Sequence, residues 1–267
     1  MVTRHGTPLD APLYQMNPQR GVEYWGCRAV VAAFTVAGDV SDLIPDGLHL
    51  PDTPPIGLVF IADYGNSTIG PYSEFVSFIQ VETDDGESGM YIPYIYVTND
   101  AAMAAGREVL GAPKKLASID ISSELDVTTA TLARPSSTPL ATITMVPAER
   151  LDAGIMGALM PEEAPVFTLR YLPAPPGGAE VRELVRWTNK IGVHTDAFGD
   201  PQQFIGPGSL TYPSRSAIDP VHRLEPDTML GTIYMEFDLR LYAGRVVRSE
   251  VTTAEEIEQP VPVEHVV

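Results

Sequence analysis

The sequence predicts a single, mostly β domain with a few short helices. Three observations carry that reading. The 267 residues include 25 prolines and 22 glycines, which interrupt the chain too often for many long helices to form. Between the interruptions lie runs that alternate in polarity or are apolar throughout, the two patterns a strand shows when one or both of its faces are covered. No fixed-period repeat and no interior stretch of linker composition is present, so residues 1–251 read as one domain. A hydrophobic content of 44% is enough to build its core.

In chain order, the strand candidates are Arg28 to Val36, Ile56 to Ala62, Glu74 to Glu82, Met90 to Val97, Ala141 to Val146, Val166 to Leu172, Val181 to Trp187 and Gly231 to Leu241. The run Leu172-Pro-Ala-Pro-Pro-Gly-Gly-Ala reads as a loop joining two of them. The best helix runs from Asp100 to Leu110, with Thr98 or Asn99 as its cap. Gly111 sits where a left-handed cap residue belongs, and Pro113 cannot continue the helix. Shorter helical pieces are expected at Val40 to Leu43 and Arg150 to Leu159. Residues 252–267, with Glu255, Glu256, Glu258, Glu264 and two prolines, read as a flexible acidic tail.

Composition excludes several functions. Seventeen basic against 35 acidic residues give a net charge of −18, and the arginines are scattered among carboxylates, which argues against a nucleic-acid or other phosphate-binding surface. The longest apolar runs, Ala29 to Ala37 and Ile56 to Ala62, fall far short of the ~20 residues a membrane span needs, so no membrane partner is expected. The start of the chain lacks the apolar run of a signal peptide, and the single cysteine, Cys27, allows no intramolecular disulfide. Both point to a cytoplasmic protein.

The basic residues divide into 14 arginines and only three lysines, Lys114, Lys115 and Lys190, two of them adjacent. A free lysine amine has a pKa of about 10.4, so a nucleophilic lysine at neutral pH must be tuned down by a neighbouring cation or by burial. On a strand, adjacent side chains point to opposite faces, which weakens repulsion within the pair and leaves desolvation as the larger effect. The helix end just upstream acts the other way and stabilises an ammonium. The alternative reading is a solvated Lys-Lys turn after a helix. Lysine scarcity and the uncharged flanks Ala112, Pro113, Leu116 and Ala117 weigh against it.

The segment Gly106-Arg107-Glu108-Val109-Leu110-Gly111-Ala112-Pro113-Lys114-Lys115-Leu116 resembles the signature of the acetoacetate decarboxylase family. Weaker similarities follow the family's order from about residue 18 to 248: Arg20-Gly21 with Arg28, Gly70-Pro71-Tyr72-Ser73-Glu74, Trp187, Val193-His194 and Gly206-Pro207-Gly208-Ser209-Leu210. The resemblance implies an α+β single domain of mostly antiparallel sheets around a closed or nearly closed β-barrel, assembled as a homo-oligomer. It implies that Lys114 forms a Schiff base, that Lys115 is an auxiliary cation, that Glu74 is an active-site carboxylate and that Arg28 grips the substrate carboxylate. Without it, Arg28 reads equally well as a buried structural ion pair, and Glu74 as a solvated strand-edge carboxylate. One departure stands out: the family's second glutamate aligns with Val59, in a strand that has no carboxylate before Asp63.

No other motif competes. His194, Asp196 and His222 lack the spacing of a helical zinc site, so no metal is expected, and neither a nucleophile elbow nor a P-loop occurs. Tyr91, Tyr94, Tyr96, Tyr234 and Tyr242 read as core residues, one of which could serve as a proton donor. Cys27 is assigned no catalysis. The sequence thus leads to a cofactor-independent lyase acting on a small oxo acid, first of all decarboxylation of a 3-oxo acid of the acetoacetate type. An aldolase-dehydratase or cyclodehydratase acting on pyruvate or another 2-oxo acid is the second reading, favoured by Val59. A non-catalytic binding barrel is the third.

Overall fold

The computed structural model describes residues 21–151, 163–173 and 179–250. Arg20, all but the first two residues of the expected helix at Arg150 to Leu159, most of the loop after Leu172 and the acidic tail lie outside the described residues. The strands, in order, are β1 (Val22–Val36), β2 (Leu48–His49), β3 (Ile56–Ser67), β4 (Tyr72–Thr83), β5 (Ser88–Val97), β6 (Lys114–Leu116), β7 (Ser118–Glu124), β8 (Val127–Ala133) and β9 (Pro139–Met145). They continue with β10 (Glu149–Arg150), β11 (Val166–Pro173), β12 (Ala179–Trp187), β13 (Asn189–Val193), β14 (Gln203–Gly206), β15 (Gly208–Thr211), β16 (Pro226–Leu241) and β17 (Arg245–Glu250). One α-helix, α1 (Asp100–Ala105), separates β5 from β6, and short 3₁₀ turns occur at Ser41–Leu43 and Val221–Arg223.

Among the described residues, thirteen strands form one sheet. Its main path runs β10-β14-β16-β1-β3-β4-β5-β11-β12-β17, with β13 beside β16, β2 beside β4 and β6 beside β5. A second sheet of four strands runs β15-β9-β8-β7. Pairing is antiparallel except where β5 meets β11 and β6. The expected barrel is not found: among the described residues the path ends at β10 and β17 without closing. Closure needs the terminal strands to pair in register. Here β10 is two residues long, and β5 divides its outer edge between β11, near Met90, and β6, near Ile95.

The large sheet is covered on both sides, which explains why β1 and β3 read as continuous apolar runs. Ala29, Val31, Phe60, Ala62, Val76, Ile95 and Phe237 pack into one core. Val30, Ala32, Phe34, Val59, Ile61, Phe75 and Ile79 face the other way, into a second core shared with Ile121, Leu132 and Ile143 of the smaller sheet. The alternation of strand side chains therefore sends successive residues in the middle of β1, β3 and β4 to one interior and then the other.

Candidate active site

The segment that delivers Lys114 is built by local signals. Asn99 caps α1, its side chain accepting a hydrogen bond from the Ala102 amide at 2.7 Å. The helix then widens into a π-helical turn over Gly106–Leu110 and stops at Gly111, whose φ of 72° is left-handed. The Ala112 amide closes this end on the Gly106 carbonyl at 3.0 Å, and the chain enters β6 with Lys114 opposite Ile95 and Lys115 opposite Tyr96. Ile95 belongs to the first core and Tyr96 to the second, so the two lysines part.

Gly106 is required by the lysine itself. A Cβ there would lie 2.5 Å from Lys114 Cδ and 2.6 Å from Cε. The bare glycine backbone is the surface on which the aliphatic stem rests, and it aims the amine at β4.

Lys114 Nζ donates to Glu74 Oε2 at 2.6 Å, and the two side chains are only 10% and 9% exposed. Tyr64 donates its hydroxyl to the other oxygen, Glu74 Oε1, at 3.0 Å. Tyr24 and Tyr72 share a hydroxyl contact of 3.1 Å, and both pack on the Tyr64 ring with centroids 4.6 and 4.9 Å away. Lys114 Nζ lies 5.6 Å from the centre of the Tyr72 ring, near enough for a cation–π attraction. Burial first, and then the charge of Glu74, push all three phenols above their ordinary value, so they remain neutral and can act as hydrogen-bond donors.

The pair opens onto a cavity of about 620 Å³ including its mouth. Tyr24, Tyr64, Glu74, Lys114 and Asn189 supply its polar groups together with Trp187, and the remaining described lining is aliphatic or phenylalanine. Lys114 is the only cation among the described lining residues.

The structure thus brings together Lys114 and Glu74 but not the other two expected site residues. Lys115 Nζ turns to the opposite face and bonds Asp219 Oδ1 at 2.9 Å and the Ile218 carbonyl at 2.7 Å. Asp219 also pairs with Arg134 Nε at 3.1 Å and accepts the Tyr96 hydroxyl at 3.1 Å. Arg28 lies between Cys27 and Ala29, which face the first core, and so emerges on the second face. There it pairs with Asp63 at 3.3 Å and donates to the Ile121 carbonyl, outside the cavity lining. Val59 is fully buried in the second core. The residues of β3 that share the Glu74 face are Phe60, Ala62 and Tyr64, so a carboxylate at position 59 would not point at Lys114.

Of the tyrosines singled out from sequence, Tyr91, Tyr94, Tyr96, Tyr234 and Tyr242 are all absent from the cavity lining, and Tyr24 and Tyr64 take that place. Strand alternation counted back from Glu74 across the β3–β4 hairpin was the available signal for Tyr64, since Ala62 lies opposite Glu74 and Tyr64 opposite Tyr72. His194 contacts Asp238 at 2.9 Å, and no group of metal-binding side chains occurs among the described residues. Burial, with Asp238 and Asp63 adding to it, pushes the Cys27 thiol up to about 12, which leaves it a protonated core residue. No helix among the described residues is long and apolar enough to cross a membrane.

Known proteins share both the sequence and this architecture. The family described as acetoacetate decarboxylase (ADC) matches residues 6–251. A decarboxylase of Cochliobolus heterostrophus, DEC1, is 31% identical over 246 residues, covering 86% of this chain and 88% of its own. Acetoacetate decarboxylase 2 of Mesorhizobium japonicum is 27% identical over 256 residues, covering 95% and 92%. Among solved structures, an acetoacetate decarboxylase from Legionella pneumophila superposes with a TM-score of 0.76 at 23% identity, over 93% of this chain and 99% of that one. The enduracididine biosynthesis enzyme MppR, in complex with pyruvate, superposes with a TM-score of 0.68 at 15% identity, over 86% and 91%. At these identities the two structures speak for the fold, while the sequence match across nearly the whole chain shows that it belongs to the acetoacetate decarboxylase family.

Proposed function

We propose that the chain decarboxylates 3-oxo acids through a Schiff base on Lys114. The observation that carries this reading is the Lys114–Glu74 pair at 2.6 Å, enclosed by a cavity whose described lining offers no second cation. Glu74 takes the proton from the Lys114 ammonium along their hydrogen bond, and the freed amine adds to the C3 ketone. Loss of water leaves a protonated imine. The bond from C2 to the carboxylate breaks, its electron pair flows through C2 and C3 to the cationic nitrogen, and CO2 departs. Glu74 gives its first proton to the departing water, takes a second from solvent and delivers it to C2 of the enamine, which restores the imine, and water then releases a methyl ketone and free lysine. The sum is R–CO–CH2–COO⁻ + H⁺ → R–CO–CH3 + CO2. The iminium is itself the electron sink, so this route draws on no metal or cofactor. Tyr64 holds Glu74 by its second oxygen and so fixes the direction in which the proton moves.

An apolar enclosure suits this step because the substrate's charge disappears as it proceeds: a carboxylate becomes neutral CO2 while a cationic nitrogen becomes neutral. The 2-oxo acid alternative keeps its carboxylate through the reaction and needs a cation to hold it. Arg28, the residue expected in that role, is paired with Asp63 on the other face. Decarboxylation is therefore the better supported of the two enzymatic readings.

The test is to supply acetoacetate and, separately, pyruvate, following CO2 release and inactivation by borohydride. Release of CO2 from acetoacetate with borohydride inactivation that depends on the substrate is expected. Release without inactivation would remove the imine from the account, and inactivation by pyruvate with carbon–carbon bond formation but no CO2 release would favour the second reading.

A further inference from the structure

We propose that the preferred substrate is a 3-oxo acid with an extended, uncharged hydrocarbon tail of medium length, and that acetoacetate is a poor fit. This rests on the decarboxylase reading and adds a substrate class to it. Acetoacetate has only a one-carbon tail beyond its ketone, whereas the described lining of the cavity continues from Lys114 and Glu74 to the apolar side chains of Ile191, Leu239 and Leu241.

The chemistry of the walls says what fills the space. The reactive groups cluster on β4 and β6. Across the cavity stand β13 and β16, which bring Ile191 opposite Leu239 and Asn189 opposite Leu241, with Phe237 two residues further along the same face. In the sheet β16 is separated from β6 by β1, β3, β4 and β5, so the sheet curls for both to line one cavity. A tail attached at C3 and starting at Lys114 would run toward Ile191, Leu239 and Leu241. Asn189 is the single polar side chain that β13 and β16 contribute to the described lining. A second carboxylate at the far end would meet hydrocarbon and an amide, with no cation among the described lining residues there to compensate it.

The experiment measures kcat/KM for CO2 release from 3-oxobutanoate, 3-oxohexanoate, 3-oxooctanoate and 3-oxodecanoate, with 3-oxohexanedioate as a charged-tail control. Each methylene that leaves water for the cavity is expected to raise kcat/KM about fourfold until the space is full. The dioate is expected to run at least about a hundredfold below 3-oxohexanoate. In the Ile191→Trp variant the ratio of 3-oxooctanoate to 3-oxobutanoate should fall at least about tenfold, because the ring occupies the far wall. A series that is flat or highest at 3-oxobutanoate, or a dioate equal to 3-oxohexanoate, would overturn the substrate class while leaving the decarboxylase reading standing. Absence of CO2 release from every member, with no adduct on Lys114, would overturn both.

Discussion

Lys114 and Lys115 are neighbours in the chain, and each ends on a buried carboxylate, yet the two pairs are built for different ends. The Lys114–Glu74 contact is one amine on one carboxylate, closed in by tyrosine rings and open to an apolar cavity. The Lys115–Asp219 contact is part of a network. Asp219 also holds Arg134 and Tyr96, and Lys115 also holds the Ile218 carbonyl. Burial by itself would raise the Asp219 carboxyl, but Lys115, Arg134 and the Tyr96 hydroxyl outweigh it and hold it below its ordinary value. Asp219 is thereby fixed as an anion that ties β6 and β8 to the segment before Val221. Glu74 meets one cation, Lys114, and one hydroxyl, that of Tyr64. A strand's alternation sends two identical neighbours to opposite faces, one onto an apolar cavity and one into a network of ion pairs.

Substituting the two lysines in parallel gives the largest expected contrast. Lys114→Arg keeps the charge but supplies no nucleophilic amine, and CO2 release from a 3-oxo acid should fall below detection. Lys115→Arg can still pair with Asp219 and should change kcat by less than about threefold. Equal losses in both variants would erase the distinction. Glu74→Gln comes next: the amide cannot take the Lys114 proton, and kcat should drop roughly 10²- to 10⁴-fold in a steady-state assay. Gly106→Ala sharpens the geometry. Its Cβ would press on the Lys114 stem and displace the amine, so a kcat loss of roughly a hundredfold is expected with the fold retained by circular dichroism.

The smallest effect belongs to the second pair. Asp219→Asn should leave the chemistry in place and cost about 1–3 kcal/mol in denaturant unfolding at neutral pH. Because the folded Asp219 carboxyl lies below its unfolded value, its contribution is fully present above the unfolded value of about 3.9 and is lost as the pH falls through the lower folded value. The difference in stability between wild type and Asp219→Asn should therefore shrink in acid. A difference that grows toward low pH would contradict the network.

The helix stop at Gly111 and Pro113 and the arrival of Lys114 on a strand are readable from the chain because their causes are local: a left-handed glycine and a proline act within a few residues of themselves. The hairpin of β7 and β8 is not readable in the same way. In β7 a single residue, Ile121, is fully buried, so the alternation that marks a strand is faint. Whether the sheet closes depends on whether β10 and β17, far apart in the chain, meet edge to edge, and nothing local to either encodes it. The expectation for Arg28 came from resemblance and ignored alternation, which places Cys27 and Ala29 in the first core and so turns Arg28 away. Tyr64 was within reach of the same count made backward from Glu74.

The central claim is that Lys114, and not its neighbour, forms the covalent intermediate. Its most direct test leaves the protein unaltered: trap the wild-type chain with borohydride in the presence of 3-oxooctanoate, digest it and locate the added mass by fragmentation. The account predicts a single reduced adduct on Lys114. An adduct on Lys115 or Lys190, or a chain that turns the substrate over and carries no added mass, would contradict it.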